Sequence, residues 1–288
     1  MNLEDITTAT FNSPSELVEF EESLFTRQTV PRRWAFRGQS GEYGSLKPSF
    51  QRIFGQKHLL ATAEMIEGDL IKTFRKHYET LSGRTFDMPD PSMISENFDL
   101  RCLSVMQHYG VPTRLLDWTS NFWTAVYFAC ASDPTKNAEL WFYDRELFVD
   151  QWQSKDLAPL LSVVNFGQTG VPEPRLLGSR NADMIIEFDP QLTPRMKKQF
   201  AHHTFCIDPF SDHAQLLFDR SQNVPQYLEK EKYLFQRVVI NAACKQRALR
   251  YLADHRQVTA GTIFPDVEGL NKFLHWHLES LLTTMVDN

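Results

Sequence analysis

At 288 residues and 33.5 kDa, the chain suits one large domain or two small ones, and a hydrophobic share of 42% is ample for a packed core. Thirty basic residues stand against 36 acidic ones, a net charge of −6 that excludes binding to nucleic acid by bulk electrostatics, though not through a local basic patch. Cys102, Cys130, Cys206 and Cys244 are far apart with no CxxC pair, as expected of free thiols in a reducing cytoplasm. The acidic N-terminus lacks the character of a signal peptide, and no apolar run reaches the ~18 residues of a membrane helix. These features predict a cytoplasmic protein with no membrane partner.

In chain order, Ser13-Pro14-Ser15-Glu16 is a helix start with a capping box, and Leu17, Phe20, Leu24 and Phe25 give its apolar stripe. Trp34–Gln39 reads as a strand running into a glycine turn, and 40–50 as a loop carrying Tyr43 and Lys47. A long helix is predicted over Lys57–Leu81, a loop over 82–95 and a second helix over Phe98–Tyr109. Gly110 can close that helix in the left-handed conformation, and Pro112 forbids its continuation. Thr113–Asp117 would then be extended, with Thr119 or Ser120 capping a helix over Asn121–Ala131. Ala138–Tyr143, Asp183–Phe188, Thr204–Ile207 and Leu234–Ile240 read as strands, and Lys245–Asp254 and Val267–Thr283 as closing helices. The segment 148–180 has little periodicity and several prolines and glycines, and is expected to be a loop-rich insertion. This order predicts one α+β domain over 1–288, with a mixed or antiparallel central sheet flanked by helices.

The densest polar stretch is Gln107–Ser120, between two apolar helices. Polar groups beside a core are costly unless they pair with each other or with a ligand. A loop between one helix end and another helix start also suits an anion. Arg37, at the end of an aromatic strand, needs either a carboxylate such as Asp117 or an anionic ligand, because an unpaired buried guanidinium is expensive. Gly38 fits a tight turn or a close approach of ligand to backbone. His108 at a helix C-terminus would be favoured in its protonated form. Arg114 and Asp117 could form an internal ion pair. His202 and His203 are adjacent, with no third ligand nearby, so no metal site is expected; GxSxG, P-loop and GxGxxG patterns are absent.

Phe36-Arg37-Gly38-Gln39 resembles the signature from which the FRG domain takes its name. The likeness continues through Gln107–Thr119 and Ala125–Ala129, and resumes at Arg195–Gln199 with Phe205 and at Ile263–Leu270. It spans roughly residues 15–275, so it implies a single full-length FRG domain. Ala201 departs from it, standing where the family usually has glycine. A more distant similarity is to ADP-ribosyltransferases, which place an Arg-Gly on an early strand, hydroxyls at a later strand end and a glutamate near the close. Arg37-Gly38 and Thr119-Ser120 could match the first two; Gln199 falls near the third, where a neutral amide cannot give a carboxylate's stabilisation, and Glu187 is the nearest acid.

The clustered polar loop and the ADP-ribosyltransferase-like spacing point to a nucleotide or other phosphate-bearing small molecule as ligand, with NAD as the cofactor to test and none firmly required. Its binding residues would come from Arg37, Gly38, Gln39, Thr113, Arg114, Thr119, Ser120 and Arg195. Any chemistry would fall to His108, Tyr109, Asp117, Gln199 or Glu187. The alternatives are a non-catalytic module that binds a ligand or a protein partner, and a metal-free ribonuclease with His108 as general base. Bacterial toxin or phage-defence roles would suit proteins of this look, although composition gives no evidence for them.

Overall fold

A computed structural model describes residues 6–25, 34–54, 60–83, 98–148, 184–189, 193–223 and 234–286. It is α+β, built on one mixed seven-stranded sheet. The strands are β1 (Thr7–Phe11), β2 (Trp34–Gln39), β3 (Leu115–Thr119), β4 (Ala138–Asp144), β5 (Ile185–Phe188), β6 (Ala201–Cys206) and β7 (Phe235–Ile240). Their order across the sheet is β1-β7-β4-β2-β3-β6-β5, with β1 parallel to β7 and every other pair antiparallel.

The helices are α1 (Pro14–Phe25), α2 (Ser49–Phe54), α3 (Leu60–Ser82), α4 (Phe98–His108), α5 (Phe122–Cys130), α6 (Pro194–Lys198), α7 (His213–Gln222), α8 (Ala242–Tyr251), α9 (Ala260–Ile263) and α10 (Val267–Val286). No helix among the described residues is long and apolar enough to cross a membrane. The predicted insertion lies, from residue 149 onward, outside the described residues.

Alternation along the strands distributes the aromatic residues to two faces. Trp34 and Phe36 of β2 join Phe142 of β4 and Phe122, Ala125 and Ala129 of α5 in one core. Phe36 packs edge-on against Phe122, with ring centroids 5.4 Å apart. Ala35, Trp118, Trp141 and Tyr143 face the other way, against Ala214, Leu217 and Phe218 of α7. A third cluster packs Ile71 of α3 and Leu103 and Met106 of α4 on Leu115, Ile186 and Phe205. Each fully buried large side chain contributes roughly 1.5–3 kcal/mol, so these clusters fix which face of each strand points where.

One local signal holds as read and a second is corrected. The α4 helix ends with Gly110 at φ +80°, its N–H donating to Gln107 O at 3.0 Å while Val111 N donates to Met106 O at 3.0 Å. That is the double closure of a Schellman turn, which turns the chain sharply out of the helix. The cap of α5 is corrected: Asn121, not Thr119 or Ser120, accepts the Thr124 N–H at 2.9 Å. Thr119 is still in β3, and its hydroxyl instead accepts from Asn121 N at 3.0 Å and donates to Gln199 O at 2.6 Å.

The middle of the sheet positions the site. β2 pairs with β4 at six successive positions, and β3 with β6 at five. Yet β2 and β3 pair at one position only, Phe36 with Thr119. Past that point Arg37–Gln39 and Leu115–Trp118 diverge, and the sheet opens between two well-paired halves.

Candidate functional site

A cavity of about 580 Å³ occupies this opening, within the range of small-molecule sites. Its walls are the end of β2 and the loop after it, the end of α4, β3, the turn of α6 and the start of β6. Arg37 reaches across the split and donates from Nη1 to the Asp117 carbonyl oxygen at 2.8 Å. The guanidinium thus stands in for the ladder bond that the diverging strands cannot make. Its Nε is buried with no hydrogen bond, and among the described residues it has no carboxylate within ion-pair distance. Burial pulls its pKa down and Arg52 adds to that, while Asp117 opposes. Two guanidiniums facing one cavity with so little compensation make a site that calls for an anion.

Lys47, Arg52 and Arg195 also line the cavity, with a single carboxylate, Asp117, among the described lining residues. A chain of net charge −6 therefore gathers four permanent cations, Arg37, Lys47, Arg52 and Arg195, around one pocket. Arg195 lies over the Phe264 ring at 4.3 Å, which fixes its guanidinium plane by a cation–π contact.

Asp117 is held from behind. His203, directly opposite it on β6, brings Nδ1 to 3.1 Å from Oδ1, and Gln107 Nε2 donates to Oδ2 at 3.1 Å. Burial raises the carboxyl pKa, but His203, Arg37 and Gln107 outweigh it, and the net displacement is downward. Asp117 is therefore a carboxylate in use, not an acid. Its side chain is 53% exposed, whereas that of His203 is 2% exposed, so the carboxylate faces the cavity and the imidazole supports it.

His108 lines the cavity as expected, but not as a cation: burial first, then the Arg195 charge, lower its pKa against the pull of Asp266 and Asp117. The helix-terminus effect, worth under about 1 kcal/mol at such sites, is outweighed. Gln39, Thr119 and Gln199 also line it. Gln39 is engaged by Ser45 O at 3.1 Å and Glu139 Oε2 at 3.2 Å, and Gln199 donates to Ile263 O at 3.3 Å. Gly38 borders the cavity, but its necessity is packing. A Cβ there would lie 2.0 Å from Ala125 O and 2.5 Å from Ala129 N, so α5 can seat on β2 only over glycine.

Other candidates lie elsewhere. Arg114 does not pair with Asp117 and does not reach the cavity. It is 2% exposed, donating from Nε to Glu67 Oε1 at 3.0 Å and from Nη1 to Ile207 O at 2.6 Å, with Nη2 on Glu67 Oε2. Thr113 is buried, donating to Gln107 Oε1 at 2.6 Å and accepting from Leu115 N at 3.2 Å. Ser120 is outside the lining, its N–H bonded to Phe200 O at 3.1 Å. Tyr109 turns its ring towards Tyr78 and Phe74 of α3, at 5.9 and 6.4 Å, not into the cavity. Glu187 belongs to a separate buried network, accepting from Tyr143 Oη at 3.0 Å and Arg145 Nε at 2.7 Å.

The sequence reading missed His203, Gln107 and Arg52 as site residues. Gln107 was in view within the dense stretch, and His203 was weighed only as a metal ligand. Its true partner, Asp117, is 86 positions away and meets it only through the β3–β6 register. Among the described residues, no group of three or more His, Cys, Asp or Glu could hold a metal ion.

The family model of the FRG domain matches residues 32–138. No curated protein and no solved structure matches the chain. The match runs from just before β2 to the first residue of β4, a shorter span than the 15–275 over which the motifs suggested likeness. It contains Arg37, Lys47, Arg52, Gln107, His108 and Asp117, while Arg195, Gln199 and His203 come from beyond it. Residues 32–138 are thus similar to the FRG domain, and that stretch supplies most of the charged wall of the cavity.

Proposed function

We propose that this chain binds a phosphate-bearing small molecule of the nucleotide class in the cavity between β2 and β3. The observation that carries this reading is Arg37: a guanidinium with a buried, unbonded Nε, beside a second guanidinium. Phosphate oxygens supply the negative charge that this arrangement lacks. Tyr43, 60% exposed at the mouth, offers a ring face on which a base can stack. We also take 1–288 as one working unit, because β6 and α6, beyond the matched span, furnish His203 and Arg195.

An ADP-ribosyltransferase-like reaction finds less support here than binding does. Glu187, the acid that reading needs, lies in the Tyr143–Arg145 network, and Gln199 is a neutral amide bonded to Ile263 O. The reading is therefore one of recognition, with NAD kept as one ligand to test.

Isothermal titration of wild type and Arg37→Ala with NAD, ADP-ribose, ATP and inorganic pyrophosphate tests it. Wild type should bind at least one of these, with affinity falling tenfold or more in the variant. Absence of binding to all four, or equal binding by both proteins, would overturn it.

A further inference from the structure

We propose that the cavity selects, among phosphate-bearing ligands, those carrying a vicinal diol, as on the ribose of a ribonucleoside diphosphate, and that Asp117 reads that diol. The inference rests on the phosphate-binding reading above and specifies its substrate class.

The argument begins with what Asp117 has left to offer. Its Oδ1 lies against His203 Nδ1 and its Oδ2 accepts from Gln107 Nε2, each at 3.1 Å. Gln107 is itself fixed, accepting from Thr113 Oγ1 at 2.6 Å and donating to Leu115 O at 3.4 Å. The carboxylate is thus aimed, not free to rotate. An ionised carboxylate has about four lone-pair sites; Gln107 occupies one on Oδ2, and the His203 ring stands against Oδ1 without a hydrogen bond. With the side chain 53% exposed, each oxygen keeps an acceptor site for the ligand. Two adjacent acceptors match two adjacent donors.

The charges decide which donors those are. A guanidinium or ammonium group on the ligand would meet Arg37 and Arg52 across the cavity and be repelled by them. Neutral hydroxyls avoid that repulsion while their phosphates satisfy the same cations. Conversely, a bare polyphosphate gains from the cations but is repelled by Asp117, so the carboxylate works against ligands without donors. Asp117 is kept ionised by its neighbours, so it accepts and cannot donate. A site built to bond a hydroxyl rejects the analogue lacking it, because the acceptor is left unpaired.

The test compares ADP, 2′,3′-dideoxy-ADP and inorganic pyrophosphate by titration calorimetry on wild type, Asp117→Asn and Gln107→Ala. Wild type should bind ADP at least tenfold tighter than the dideoxy analogue. Asp117→Asn should bring the two nucleotides to within about threefold, while pyrophosphate binds it as well as wild type or better. Gln107→Ala, which loosens the carboxylate without removing it, should narrow the gap partway. The comparison in wild type needs no variant to fold. Equal binding of ADP and its dideoxy analogue by wild type would overturn the diol inference while leaving phosphate binding intact. So would a parallel loss of ADP and pyrophosphate in Asp117→Asn. Failure of pyrophosphate and both nucleotides to bind wild type would overturn the phosphate reading itself.

Discussion

Arg37 lies in β2 and Arg114 immediately before β3, and both invite the same reading from sequence, yet their surroundings differ in kind. Arg114 is shut inside the protein against Glu67, Ile207 O and the face of Phe205, whose ring centre is 5.2 Å from its guanidinium carbon. Arg37 holds one backbone carbonyl, leaves a buried N–H unbonded and faces another cation. A fully buried guanidinium held by a carboxylate, a backbone carbonyl and a ring face belongs to folding. A desolvated guanidinium left incompletely answered at the wall of a cavity belongs to a ligand. Proximity to a motif does not separate the two cases; the inventory of partners does.

The contrast can be broken most forcefully at Arg114. Arg114→Ala strands Glu67 as a buried, unpaired charge and should destabilise by roughly 3–5 kcal/mol in urea unfolding. Replacing both partners, as Arg114→Met with Glu67→Leu, should recover most of that loss. If the single variant were nearly neutral, the pairing would not be the structural element described here.

A second effect lies beneath both arginines. Burial, with the Arg37 charge adding and a backbone hydrogen bond at Arg114 opposing, lowers the pKa of His213 from 6.5 to about 3, and Thr204 Oγ1 lies 2.9 Å from its Nδ1. The unfolded chain takes up a proton below its pKa of about 6.5 while the folded protein does not. The stabilisation is thus complete above pH 6.5 and is lost as pH falls towards 3, roughly 2 kcal/mol of it by pH 5. Glu64 and Glu187, raised to about 7 by burial, take up protons first in the folded state and tilt the curve the other way. The quantity to read is therefore the difference between wild type and His213→Gln in unfolding free energy from pH 7 to 5. That difference should shrink as the pH falls, and a constant difference would show that His213 does not titrate this way.

Smaller effects are expected within the cavity. Asp117→Ala frees Gln107 and His203 from their shared partner, but its carboxylate is half-exposed, so the loss should be about 1–2 kcal/mol by thermal unfolding. Arg37→Ala should cost less than about 1 kcal/mol, since the Asp117 carbonyl it releases opens onto a cavity that water can enter.

Much of the frame could be read from residue pattern. The strand at Trp34–Gln39, the α4 helix with its glycine closure and the helix after Asn121 follow from apolar period and capping chemistry. Five elements escaped: β1, whose Thr-Thr-Ala-Thr-Phe run has no clear alternation, the short helices α2, α6 and α9, and α7, which follows Pro209. The site was half visible. Arg37, His108 and Asp117 stand in dense local motifs, whereas His203 and Arg52 owe their place to strand register and to the split of the sheet. Arg114 misled because local spacing suggested Asp117, while its partner Glu67 comes from α3, 47 positions away. Such pairings live in tertiary packing and leave no short-range pattern.

The most direct test sets the two arginines side by side: thermal unfolding of wild type, Arg37→Ala and Arg114→Ala, each with and without inorganic pyrophosphate at low ionic strength. Pyrophosphate at ~100 times its dissociation constant should stabilise wild type by about 2.7 kcal/mol. Arg37→Ala should melt close to wild type and lose that response. Arg114→Ala should melt far lower and, in whatever fraction remains folded, keep it. If instead Arg37→Ala melted as low as Arg114→Ala, and pyrophosphate stabilised none of the three proteins, Arg37 would be a structural residue and the cavity would have no claim to an anion.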